Sequence, residues 1–243
     1  LQRASILAIL ALGLITERAS SDPVAMEACA NAADPREALA GCSTVVASAS
    51  ATDEQLRLAF NNRANAYAYL GDTEAALADY GRALAYDPHY VNARFNRASL
   101  YLETGKFDLA IADFDAVLKL EPDRVDALNN RALALLSGGH LDAAIAGFTA
   151  VLRLDPTYAY AYNNRGVAWR RKNAFARAMA DFSVAIDLRP DYVAPLNSRG
   201  EIHLQMGRFA EAAADFRRVL RIQPMHVTAT ANLRSALDVP PGQ

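Results

Sequence analysis

Cysteine is nearly absent. Cys29 and Cys42 stand close together, and residues 43–243 contain none. That excludes a disulfide-dense scaffold, and without Cys-x-x-Cys spacing it gives no redox or zinc motif. Histidine is equally thin: His89, His140, His203 and His226 stand apart, with no second ligand at metal spacing. No Gly-x-Ser-x-Gly elbow, phosphate loop or paired-carboxylate signature is present. The sequence therefore reads as a non-enzyme with no metal and no cofactor. A dominant charge is missing too, since 25 Lys+Arg against 27 Asp+Glu leave a formal -2. Such a balance gives no reason to expect nucleic acid or an anionic membrane as partner. The charge is uneven, however, with 13 basic and 20 acidic residues in 1–158 against 12 and 7 in 159–243.

Long apolar runs are also lacking. The run from Ala4 to Ile15 covers 12 residues, too short to span a bilayer comfortably. Arg3 precedes it, and Thr16-Glu17-Arg18 and the small residues Ala19-Ser20-Ser21 follow. This is the layout of a secretory signal cut ahead of Asp22; a core helix or a retained anchor is the alternative. Residues 1–21 are accordingly set aside as a signal peptide. The expectation is an exported, periplasmic protein with no membrane insertion after signal removal. An oxidising compartment would then let Cys29 and Cys42 pair.

What is present is periodicity, the first thing to test in such a chain. Pro88, Pro122, Pro156, Pro190 and Pro224 lie 34 residues apart. Arg63, Arg97, Arg131, Arg165 and Arg199 keep the same interval, as do Ala76, Ala110, Ala144, Ala178 and Ala212. So do the aromatics Tyr80, Phe114, Phe148, Phe182 and Phe216. Within the unit 91–124 two Gly- and Pro-free stretches, Val91–Leu102 and Phe107–Leu120, flank Gly105. The pattern predicts helix, turn, helix, turn. The column Gly71, Gly105, Asn173, Gly139 and Gly207 predicts a left-handed residue ending each first helix. Each proline stops the second helix.

These columns resemble tetratricopeptide repeats, whose aromatic, small and proline positions run here as Phe60, Ala64, Tyr67, Ala76, Tyr80 and Pro88. The resemblance implies an all-α fold, a right-handed α-solenoid of antiparallel helix pairs. One column departs: arginine stands in every unit where the family usually has leucine. Residues 52–226 are assigned to five repeats. Residues 22–51 repeat the pattern weakly as an N-terminal capping helix pair, with Cys29 and Cys42 set against Tyr67 and Tyr80; this predicts a disulfide joining its two helices. Thr52 and Gln55 form a capping box for the next helix. Residues 227–243 are a C-terminal capping helix and tail, as a solenoid's exposed end requires.

In this family the first helix of each pair lines the concave side. Helical phase then points Asn62, Asn96, Asn130 and Asn164 into the groove, with Ser198 and Asn232 continuing the column. Asn61, Asn65, Asn129, Asn163 and Asn197 enrich the same surface. Such a column resembles the groove asparagines of peptide-binding members, since an amide both donates and accepts. The rival reading is a solvated column copied from an ancestral repeat. Phe95 and Tyr160 are candidate walls for side-chain pockets. The expected peptide-binding residues are therefore Asn62, Asn65, Phe95, Asn96, Asn129, Asn130, Tyr160, Asn163 and Asn164. The cationic places of the family's carboxylate clamp hold Asn61, Asp126 and Asn130, so that clamp is not expected. Arg170-Arg171-Lys172 reads as a solvated helix end.

The arginine column faces neighbouring helices and predicts pairing with Asp79, Asp113, Asp181 and Asp215, because a half-buried guanidinium needs a carboxylate. Gly147 breaks the aspartate column and leaves Arg131 without an aspartate in its own repeat; a contact with Asp113 of the preceding repeat would mean that pairing runs between repeats. Functionally, the reading is a scaffold that binds a partner protein or extended peptide in its groove. The alternatives are an envelope assembly scaffold using the convex face or end caps, and an accessory subunit of an enzyme complex.

Overall fold

The computed structural model describes residues 22–238, so the expected signal peptide at 1–21 and the tail from Val239 lie outside the described residues. Among the described residues every regular element is an α-helix. The chain divides into two units, one ending at Pro88 and the other beginning at His89. The first unit holds α1 (Pro23–Asn31), α2 (Pro35–Ala47), α3 (Asp53–Tyr69) and α4 (Thr73–Tyr86). The second holds α5 (Val91–Glu103), α6 (Phe107–Leu120), α7 (Val125–Ser137), α8 (Leu141–Leu154), α9 (Ala159–Arg171), α10 (Phe175–Leu188), α11 (Val193–Gln205), α12 (Phe209–Ile222) and α13 (Val227–Leu237). Each unit is a stack of helix pairs, an all-α solenoid arrangement.

Local chemistry sets the boundaries. Asp22 and Asp34 cap α1 and α2 by accepting from Val24 and Arg36 N–H groups, each with proline at the first helical position. Thr52 and Gln55 close the expected capping box on α3. The turn column has positive φ in every repeat: +85° at Gly71, +74° at Gly105, +85° at Gly139, 58° at Asn173 and +70° at Gly207. Each turn is sealed by the same backbone bond, such as Lys106 N to Tyr101 O at 2.8 Å.

The core is built from the other columns. The five alanines from Ala76 to Ala212 are fully buried, as are Phe114, Phe148, Phe182 and Phe216. Burying each phenylalanine side chain contributes roughly 1.5–3 kcal/mol. Small residues opposite the rings permit this approach: a Cβ on Gly166 would lie 2.7 Å from the Phe182 ring.

The arginines pair as the columns imply. Arg63 meets Asp79, Arg97 meets Asp113, Arg165 meets Asp181 and Arg199 meets Asp215, each through Nε and Nη2. These bonds hold the four guanidinium groups above their ordinary range against the opposing effect of burial. In repeat three Arg131 does not pair with Asp113. Arg131 does reach back to the preceding repeat, but to Asp115 at 2.5 Å. Asp113 is already engaged by Arg97 and by Arg94. Gly147 is explained by space, since a Cβ there would lie 2.8 Å from Ala132 Cβ.

The Asp115 position recurs. Arg165 and Arg199 also reach back, to Thr149 Oγ1 at 3.0 Å and Ser183 Oγ at 2.9 Å. In the second unit the column therefore ties each of these repeats to the one before it. The polar residues that follow Phe114, Phe148 and Phe182 supply these partners, a signal that the aspartate column alone does not carry.

His203 sits in this layer, buried, with Nδ1 unpaired. Burial is the main cause that holds its pKa below the ordinary 6.5; Asp215 and Glu211 oppose the shift, while Arg199 and Arg208 add to it. A depressed histidine is neutral when folded and protonates more readily when unfolded. Its contribution to stability is therefore complete above pH about 6.5 and is lost as pH falls from there through the folded value. Thermal midpoints measured from pH 7.5 to 5.0 should fall more steeply for the native chain than for His203→Tyr, which carries the aromatic found at Tyr67 and Tyr101. Parallel curves would contradict this.

Candidate functional site

The first helices of the second unit lie side by side, with α5 touching α7, α7 touching α9 and α9 touching α11. Their common face is where the asparagine columns meet solvent. The two columns divide in role. Asn61, Asn129 and Asn163 are buried, at 4%, 7% and 6% exposure. Each donates its Nδ2 to the next residue's Oδ1: Asn61 to Asn62 at 3.0 Å, Asn129 to Asn130 at 3.2 Å and Asn163 to Asn164 at 3.1 Å.

This fixes how the outer amide presents itself. With its Oδ1 turned inward, Asn130 or Asn164 offers its two N–H donors outward. The opposite orientation would bury an unpaired NH2 group on Asn129 or Asn163, whereas the present one leaves a single carbonyl oxygen unpaired in each. In these two repeats the outer amide oxygen is engaged by the buried asparagine.

The other expected residues are placed differently. Asn62 donates to Cys29 O at 3.3 Å, so its amide holds the N-terminal cap. Asn65 accepts from the Tyr80 hydroxyl at 2.6 Å, in the one repeat whose core aromatic is not phenylalanine. Phe95 packs edge-on against Phe114 at 5.7 Å, and the Arg124 guanidinium lies 4.3 Å over its ring. Asn96 is half-buried on α5. Tyr160 is exposed in the first turn of α9, between Tyr158 and Tyr192.

The basic run lies at an exposed helix end, as expected, with Arg171 and Lys172 solvated, but its cations also have partners. Arg170 binds Glu201 of the following repeat, Arg171 donates to Leu136 O of the preceding one at 2.8 Å, and Lys172 binds Asp142. Three consecutive cations thus clamp α9 to its neighbours. In the cap, Cys29 and Cys42 are joined by a disulfide, with Cα atoms 4.5 Å apart. Among the described residues no cluster of His, Cys, Asp and Glu is arranged to hold a metal ion, and no helix is long and apolar enough to cross a membrane.

Tetratricopeptide repeat patterns match residues 61–123, 97–159 and 129–193, and a further one matches 193–226. No curated protein sequence matches the chain. Solved structures do. MamA from Desulfovibrio magneticus RS-1 superposes with TM-score 0.66 at 20% identity, over 70% of this chain and 97% of that one. YrrB, described as a TPR protein with an unusual peptide-binding site, gives 0.60 at 18% identity over 72% and 91%. A thermophilic TPR protein in Thermus thermophilus gives 0.58 at 22% identity over 75% and 100%. Similarity at this level establishes the fold.

Proposed function

The chain belongs to the tetratricopeptide repeat family, and from that premise we propose that it is a non-enzymatic interaction scaffold binding an extended segment of a partner protein across the first helices of its second unit. The observation that carries this reading is the pair of outward-facing amides, Asn130 and Asn164, each held in place by a buried asparagine beneath it. Burying Asn129 and Asn163 with one unpaired oxygen apiece costs stability. A solvated column would not require that arrangement. Such a role is in keeping with YrrB, whose description includes a peptide-binding site. Export to an oxidising compartment, the periplasm, is supported by the Cys29–Cys42 bond.

A second reading rests on a different column. Leu120, Leu154, Leu188 and Ile222, at the ends of the second helices, remain 46%, 45%, 38% and 36% exposed at the repeat interval. That regular apolar row favours an assembly scaffold using the outer face. Photo-crosslinking amino acids placed at position 126, an exposed site one turn before Asn130 on the same helix, or at position 154 of the full chain, in its native cells, separate the two. The groove reading expects a partner adduct from position 126 that is weakened in the Asn130→Asp background. An adduct confined to position 154 would overturn it in favour of the outer face.

Asn→Asp is the informative change. It retains the oxygen that accepts from Asn129 or Asn163 and removes the outward donors. Asn130→Asp and Asn164→Asp should weaken partner binding by about 0.5–1.5 kcal/mol or more each, with the thermal midpoint nearly constant. Asn130→Ala, by contrast, strands the buried Asn129 amide and should cost about 1–3 kcal/mol of stability. Titration calorimetry with the captured partner and thermal melts together read both effects. Full binding by both aspartate variants would remove these amides from the site.

A further inference from the structure

The groove of the second unit holds a second feature besides its donors. Tyr158 caps α9, Tyr160 lies in its first turn and Tyr192 caps α11. The Tyr160 ring is 6.1 Å from Tyr158 and 5.2 Å from Tyr192, with planes inclined by 61° and 66°. Arg189 closes one side, its guanidinium 4.9 Å over Tyr160 and 5.6 Å over Tyr192, and it donates to the Tyr160 hydroxyl. Tyr160 nevertheless stays 45% exposed. It precedes Asn164 by four residues, so ring and amide share one face of α9 a single turn apart.

This surface therefore offers aromatic rings and amides, and Oδ1 of Asn130 and of Asn164 is already engaged by the asparagine beneath it. A β-extended peptide presents N–H and C=O groups together and would leave its N–H groups unmatched there. A proline-rich segment lacks those N–H groups while keeping every carbonyl. Its polyproline II form packs on aromatic grooves, and its order before binding reduces the entropy cost. The spacing agrees as well. Three residues per turn at about 3.1 Å rise bring equivalent carbonyls round every ~9.3 Å, and packed helices lie about 8–10 Å apart. One carbonyl per turn can thus meet one asparagine per repeat.

We infer that the groove of the second unit takes a proline-rich segment of a partner protein in the polyproline II conformation, its rings against Tyr158, Tyr160 and Tyr192 and its carbonyls accepting from Asn130 and Asn164. This rests on the groove reading above and adds the class of ligand.

The test is fluorescence anisotropy on the full chain with a labelled oligoproline and a labelled glycine–serine peptide of equal length. The oligoproline should bind and the glycine–serine peptide should bind at least about tenfold more weakly. Tyr160→Ala should weaken oligoproline binding by about tenfold or more, as expected for an aromatic hot spot, while Tyr160→Phe retains most of it. Asn164→Asp provides a second variant whose folding does not depend on the tyrosine cluster, and it too should weaken binding. Equal binding of both peptides, lost on Asn164→Asp, overturns the proline preference and leaves the groove reading intact. Absence of oligoproline binding to the native chain also overturns the inference, while the groove reading still answers to the crosslinking result at position 126.

Discussion

Replacing Asp79 with alanine is expected to destabilise the first unit by about 3–5 kcal/mol, because it leaves a buried guanidinium without its carboxylate. The Asp79 side chain is 1% exposed and that of Arg63 12%. Asp79 accepts from Arg63 Nε at 2.5 Å and Nη2 at 3.0 Å, and from Arg82 Nη1 at 2.7 Å. Phe60 and Tyr67 lie under the Arg63 guanidinium at 5.4 and 5.9 Å, so it cannot simply swing into water. The internal control is Asp115, whose side chain is 45% exposed and makes a single bond to Arg131. Asp115→Ala should cost no more than about 1 kcal/mol. A double replacement, Arg63→Met with Asp79→Leu, should recover most of the loss, since apolar pairs of similar volume often substitute for buried ion pairs. Urea denaturation of the four chains decides it; equal losses for Asp79→Ala and Asp115→Ala would falsify the account.

That contrast shows where sequence reading stops. The helix boundaries near Val91, Phe107 and Leu120, the left-handed turn residues and the buried alanine and aromatic columns were legible because each repeats at one interval and each has a local cause. Arg63, Arg97, Arg165 and Arg199 were also matched to their carboxylates, since both partners recur in register. Arg131 was not, because its partner depends on how closely α7 approaches α8. The contact at Gly147 and Ala132 is a packing distance that no residue column states. The partners of the Arg170-Arg171-Lys172 run were not legible for a similar reason: Glu201, the Leu136 carbonyl and Asp142 are distant in sequence and belong to no repeated column.

The candidate site was legible in outline only. Phase arguments placed both asparagine columns on one surface, but a difference of one residue on a helix is a rotation of about 100°. That rotation separates the buried Asn129 and Asn163 from the outward Asn130 and Asn164. The same rotation turns Oδ1 of Asn130 and Asn164 toward the buried asparagine beneath each. In the first repeat the same residue types are diverted to local needs, Asn62 to the cap carbonyl and Asn65 to the Tyr80 hydroxyl.

Removal of the cap disulfide should produce the other large effect, a loss of about 3 kcal/mol confined to the first unit. Cys29 on α1 and Cys42 on α2 are separated by 13 residues, and closing a loop of that size restricts the unfolded chain by roughly this amount in the chain-entropy model. Both cysteines are buried in a small cluster with Ala25, Val45 and Ala59, which has little apolar area to compensate for the lost link. The bond also supports neighbours: the Cys29 carbonyl accepts from Asn62, and Ser43, next to Cys42, accepts from Arg63. Stability in a stack of helix pairs is a sum of local and nearest-neighbour contributions, so the loss should not spread evenly. Hydrogen exchange on Cys29→Ser/Cys42→Ser should therefore show lost protection in α1, α2 and the start of α3, with α9 to α12 unchanged. A reducing agent should reproduce the pattern in the native chain. Two thiols titrated in unreduced, unfolded protein would show that the bond does not form, and uniform loss of protection across both units would show that its effect is not local.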